Sequence, residues 1–115
     1  MTIVVQNHPY HYQMENVCRL FFPQEKIRVV HEPQPAEVDT IMQRGEEDTL
    51  LTARIFLGGQ EQEASRAVPN RHPDYRAECE RKLAEALFEL LCGYTGFTPK
   101  WGMLTGVRPI KLMRS

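Results

Sequence analysis

The sequence predicts an α+β domain in the order β-α-β-β-β-β-α, a mostly antiparallel sheet with two amphipathic helices on one face. Three observations carry that reading. Apolar residues recur with helical spacing in two segments, Tyr10 to Phe21 and Tyr75 to Leu91, and such a stripe must be buried against another layer. Five short segments are rich in β-branched residues or alternate apolar with polar ones, the period-two pattern of a strand. Four of these five follow one another with only turn signals between them, and short links join antiparallel neighbours.

Thr2 to Gln6 is a β-branched run and reads as the first strand. Asn7-His8-Pro9 ends it and opens a helix, with Pro9 near the first helical position, where a missing N–H costs nothing. Met14, Val17, Cys18 and Phe21 then mark one helical face, and Phe22-Pro23 stops it. Lys26 to Val30 alternates Ile27 and Val29 against Arg28 and Val30, a second strand. The two prolines of Glu32-Pro33-Gln34-Pro35 would break a ladder, so this stretch is a loop. Val38 to Gln43 is a weaker strand, followed by the acidic turn Arg44-Gly45-Glu46-Glu47-Asp48.

Thr49 to Leu57 carries the strongest strand pattern. Leu51, Ala53, Ile55 and Leu57 point one way, and Leu50, Thr52, Arg54 and Phe56 the other. Gly58-Gly59 is a hairpin turn with room for positive φ. The returning strand, Glu61 to Val68, is far more polar and belongs at or near an edge. After the loop Pro69 to Pro73, Asp74 is expected to cap a long helix running to about Cys92, with Gly93 at C′. Its stripe of Tyr75, Cys79, Leu83, Ala86, Leu87, Leu90 and Leu91 faces the core, which places Leu87 between sheet and helix. Arg76, Glu80, Lys82, Glu85 and Glu89 face water. Gly93 to Gly96 reads as a linker to the last block.

Composition bounds the function. The 115 residues, 42% apolar and 25% charged, suffice for one domain with one core. A formal net charge of −1 leaves no basic footprint for nucleic acid or anionic lipid. No apolar run is long enough for a membrane span, and Met1 to Gln6 lacks the basic and apolar regions of a secretory signal. Cys18, Cys79 and Cys92 are odd in number and without framework spacing, which suits a reducing compartment; the cytoplasm is expected.

The constellations that could carry chemistry are few. His8, His11 and Cys18 invite a metal reading, but Cys18 lies two helical turns beyond His11, roughly 10 Å by helical rise, too far for one ion. His31 and His72 have no convergent partner in the sequence. Glu46-Glu47-Asp48 reads as a solvated turn, short of the oxygen ligands a cation site needs. Gly58-Gly59 fits no phosphate-loop pattern. Each cysteine reads as a small buried hydrophobe on a helix. No catalytic, cofactor-binding or metal-binding residue is assigned in this chain.

The informative motif is the last one. Thr105-Gly106-Val107-Arg108-Pro109 reads as a tight turn feeding a helix, with Pro109 at its first position. Ile110 and Met113 supply an apolar pair, and the chain reaches Ser115 without a cap. A helix this short is not stable alone, so the expectation is a chain that continues. Lys100-Trp101-Gly102-Met103-Leu104-Thr105-Gly106-Val107-Arg108-Pro109-Ile110-Lys111-Leu112 resembles the Pro-Trp-Gly-x-Leu-Thr-Gly-Val-Arg-Pro-x-Lys-Leu block of the HemZ-type oxygen-independent coproporphyrinogen III oxidases. Lys100 stands where that family often has proline, with Pro99 just before it.

The resemblance implies residues 1–98 as an N-terminal α+β domain and 99–115 as the junction into a radical S-adenosylmethionine domain. It implies an intact enzyme that converts coproporphyrinogen III to protoporphyrinogen IX, using a [4Fe–4S] cluster and S-adenosylmethionine held outside this chain. This chain alone would not be an enzyme; its partners would be the catalytic domain of the same polypeptide and, in the intact protein, the porphyrinogen, with neither nucleic acid nor membrane. Trp101, Thr105, Gly106 and Arg108 are the candidate contact residues. Either Trp101 anchors the linker and Arg108 bridges to the catalytic domain, or Arg108 and nearby free N–H groups take a carboxylate or phosphate. The alternative is a self-standing binding module, such as an RNA-binding α+β domain of a modification enzyme.

Overall fold

The computed structural model describes residues 1–96, which form a five-stranded sheet and two helices. In chain order these are β1 (Thr2–Gln6), α1 (His11–Phe21), β2 (Arg28–Val30), β3 (Val38–Arg44), β4 (Asp48–Leu57), β5 (Gln60–Pro69) and α2 (Tyr75–Thr95). The predicted α+β class and element order hold. The strands lie in the order β2-β1-β3-β4-β5, so the polar β5 is an edge, as its composition requires.

The sheet is mixed, where the run of short strands predicts mostly antiparallel pairing. β1 pairs in parallel with both β2 and β3, while β3–β4 and β4–β5 are antiparallel. The physical reason lies in the connections. α1 returns the chain to the start of the sheet, so β2 re-enters in the direction of β1, as a strand–helix–strand crossover demands. Residues 31–37 must then pass β1 to reach β3 on its other side. Pro35 and Ala36 border Asp39, Arg54 and Phe56 on the sheet face away from the helices, so the crossing is made there. It accounts for the complete burial of Val4, which points to that face.

The core lies between the other face and the helices. Ile3, Val5, Val38, Leu51, Ala53, Ile55 and Val68 project from the strands against Met14, Val17 and Cys18 of α1 and the stripe of α2. Alternation along β4 is largely as predicted: Leu51, Ala53 and Ile55 are buried, Leu57 is half-buried, and Leu50, Arg54 and Phe56 are exposed, while Thr52 on the outer face is buried beside Ser65 of β5. The helices meet edge to face at Phe21 and Phe88, whose ring centroids are 5.4 Å apart. On the open face Arg54 pairs with Glu63 at 3.0 Å and approaches Asp39 and Glu61 more distantly, tying β3, β4 and β5 together.

Three end-points differ from the sequence expectation. Pro9 precedes the helix, which begins at His11 with Tyr10 at the N-cap. Asp74 occupies the N-cap of α2, but its side chain makes no capping bond; its own N–H instead donates to His72 Nδ1 at 3.0 Å. Gly93 lies inside α2, which runs on to Thr95, and Gly96 takes the left-handed cap at φ 72°, its N–H donating to Cys92 O at 2.9 Å. Buried Leu90 and Leu91 hold the last turns in place, enough to outweigh the roughly 1 kcal/mol cost of a helical glycine. Trp101, Thr105, Gly106, Arg108 and the predicted 99–115 junction lie outside the described residues.

Candidate functional site

β1, β3 and β5 all run the same way, so their C-terminal ends lie together, and both helices begin at that end. A cleft of about 680 Å³ opens there, within the size range of small-molecule pockets. Asn7 and Tyr10 line one side, Gln43 and Arg44 come from the end of β3, and Tyr75 and Arg76 from the first turn of α2. No aspartate or glutamate is among its lining residues.

The walls are held by specific bonds. Thr49, fully buried, donates its hydroxyl to Asn70 Oδ1 at 2.7 Å, so the Tyr75 hydroxyl must donate to Thr49. Asn70 Nδ2 in turn donates to Gly45 O at 2.9 Å. This chain ties the β3–β4 turn to the start of α2 and fixes the Tyr75 ring. Arg44 lies over that ring, its guanidinium carbon 5.1 Å from the centroid, a cation–π contact. On the other wall Tyr10 stacks on His8 with centroids 5.4 Å apart. Burial pushes the Tyr10 phenol up, with the nearby Cys79 and Glu80 adding to it and Arg76 opposing, so the hydroxyl stays protonated. Asn7 adopts a left-handed conformation at φ 64°, which asparagine tolerates better than most residues.

The other candidates do not converge. His8 is buried and bonded to Thr40, His11 is exposed and meets His31 edge to face at 5.9 Å, and Cys18 is buried farther along α1. Among the described residues no three His, Cys, Asp or Glu side chains are grouped to hold a metal ion. Burial, with Glu15 adding to it, pushes the Cys18 thiol up to about 12; burial also raises Cys79. Glu46, Glu47 and Asp48 are exposed at the hairpin tip. Sequence reasoning missed the cleft because it divided the lining residues among unrelated roles. Tyr75 belongs to the apolar stripe, Arg76 to the water-facing side, Arg44 to an acidic turn and Asn7 to a linker. No local spacing joins them; only the shared sheet end does.

Fold and cleft define a two-layer α+β domain with a basic, tyrosine-walled opening at the strand ends. No family model matches the chain. The oxygen-independent coproporphyrinogen-III oxidase-like protein HemZ of Bacillus subtilis (strain 168) is 23% identical over 106 residues, covering 90% of this chain and 21% of that protein. The chain thus spans about a fifth of that relative's length, and the similarity is distant and partial. Among solved structures, protein VC0702 from Vibrio cholerae superimposes with a TM-score of 0.43 at 15% identity, over 91% of this chain and 82% of that one. No helix among the described residues is long and apolar enough to cross a membrane.

Proposed function

We propose that this chain is the N-terminal, non-catalytic domain of an oxygen-independent coproporphyrinogen III oxidase-like radical enzyme. The observation that carries the reading is the similarity to HemZ, which takes in 90% of this chain but 21% of that protein, the proportion of one domain in a larger enzyme. The resemblance of residues 100–112 to the family's junction block adds to it. The intact protein would oxidatively decarboxylate two propionates of coproporphyrinogen III to vinyls in the cytoplasm. A [4Fe–4S] cluster and S-adenosylmethionine would supply the radical chemistry.

The described residues do not fit that cluster. Cys18 and Cys79 are buried in the core, and Cys79 and Cys92 are separated by more than three turns of the same helix. The chain's contribution is therefore read as stability and docking, with Trp101 and Arg108 at the join to the catalytic part. The RNA-binding alternative finds less support on the open sheet face. Exposed Phe56 on the open sheet face neighbours Glu61 across the β4–β5 ladder, and Arg54 is already engaged by acids, whereas single-strand binding wants a basic, aromatic surface.

The test is to read the natural reading frame beyond Ser115. A downstream Cys-x3-Cys-x2-Cys is expected, and a frame that ends or continues without it overturns the assignment. Anaerobic reconstitution of the 115-residue chain with iron and sulfide should leave it colourless. A stoichiometric visible band lost on replacing all three cysteines would contradict the reading.

A further inference from the structure

The cleft at the strand ends is lined by two arginines and no acid, and neither arginine is held by a carboxylate among the described residues. Arg19, Arg54, Arg66 and Arg81 each hold a carboxylate in an ion pair. Arg44 and Arg76 form none among the described residues, although Glu80 lies one helical turn beyond Arg76. The carboxamides of Asn7 and Gln43 likewise make no hydrogen bond among the described residues. α1 starts at this end without a side-chain cap and with no acid in its first turn, so its first-turn N–H groups add positive potential to the same opening. Tyr10 and Tyr75 supply flat apolar walls, and Arg44 is held in place over the Tyr75 ring.

We propose that this cleft binds a small molecule that carries a carboxylate or phosphate beside a flat apolar body. Arg44 and Arg76 take the oxyanion, the amides of Asn7 and Gln43 complete its hydrogen bonds, and the ring lies against the tyrosine walls. A planar guanidinium matches a carboxylate or phosphate with two parallel N–H donors. The volume admits a ligand of drug size. The inference rests on the geometry of residues 7–76 and is independent of the family reading.

The experiment is a titration of the isotope-labelled 115-residue chain, followed through its backbone amide resonances. Phenyl phosphate and benzoate are the two anionic probes, and benzamide is the neutral control. Either anion should produce saturable shifts at Asn7, Arg44 and Arg76, with benzamide much weaker, and added salt should weaken binding. Arg44→Gln and Arg76→Gln should each cost about tenfold in affinity, the scale of one charge-assisted hydrogen bond, while Arg19→Gln leaves it unchanged. Both arginines are exposed, and thermal melts of the variants verify the fold. Arg44→Lys, which keeps charge without the fork, should recover only part of the affinity. Preference for phenyl phosphate assigns a phosphate ligand and preference for benzoate a carboxylate. Unsaturable shifts with both anions, equal shifts with benzamide, or binding indifferent to both glutamine substitutions would overturn the proposal.

Discussion

His8 shows how burial and three hydrogen bonds select one protonation state. The residue is 7% exposed. The Tyr10 N–H donates to its Nδ1 at 3.2 Å, and its Nε2 lies 2.8 Å from Thr40 Oγ1. Thr40 gives its own proton to Val4 O at 3.0 Å, so Nε2 must carry the imidazole hydrogen. A second ring proton would face the Tyr10 N–H. Burial, reinforced by repulsion from His31 and His11, pushes the imidazole from 6.5 down to about 4. The unfolded chain therefore takes up a proton as pH falls below about 6.5 that the folded chain refuses until about 4. The stabilisation from neutral His8 is complete above that window and is lost as pH drops through it, on the order of 3 kcal/mol in all. Urea unfolding at stepped pH should show this loss, and His8→Phe should remove the part of the slope between pH 6.5 and 5. A slope identical in the two proteins would mean that another group titrates there.

At the scale of the element, α2 rests on its stripe. Leu87 is fully buried, while Glu85 lies partly exposed, 3.7 Å from Lys82. Leu87→Ala should cost about 2–5 kcal/mol through lost burial and a residual cavity. Leu87→Asp should unfold the domain, because an unpaired buried carboxylate costs several kcal/mol against a total of about 5–15. Glu85→Ala should stay within about 0.5 kcal/mol; thermal melts that coincide for Leu87→Asp and Glu85→Ala would show the helix turned the other way. The β4–β5 hairpin offers a separable case. Gly58 and Gly59 have φ of 59° and 77°, the type I′ signature, and a Cβ on Gly58 would stand 2.8 Å from Tyr94 Oη. Gly58→Ala should therefore cost about 1–3 kcal/mol from backbone strain and collision together. Adding Tyr94→Phe should recover the collision and leave the strain, a difference that a double-mutant cycle of denaturation midpoints resolves.

At the scale of the whole molecule, the three thiols report cooperativity. Cys18 and Cys79 are fully buried and Cys92 is partly exposed. An aromatic disulfide reagent should label Cys92 quickly on the native chain, and Cys18 and Cys79 only at the rate of opening. All three should become fast together at the denaturant midpoint if the sheet and both helices melt as one unit. Rapid native labelling of two or more thiols would mean that α1 or the first turn of α2 opens by itself.

What the sequence determined by itself is what local periodicity and turn chemistry control. The alternation of Leu51, Ala53 and Ile55 against Leu50, Arg54 and Phe56, the stripe from Cys79 to Leu91, the Gly58-Gly59 turn and the polar edge of β5 were all legible, because each is decided by residues within one or two turns of one another. α2 runs past Gly93 because glycine is a helix breaker only by propensity, and packing at Leu90 and Leu91 overrides propensity. Tertiary structure alone decided the parallel pairing of β1 with both β2 and β3, which depends on which edge a returning strand finds free. It also decided the cleft, since Asn7, Arg44 and Arg76 are brought to one place only when three co-directional strands end together and both helices start there. Side-chain identity is local information; which strand ends share a rim is a property of the closed sheet.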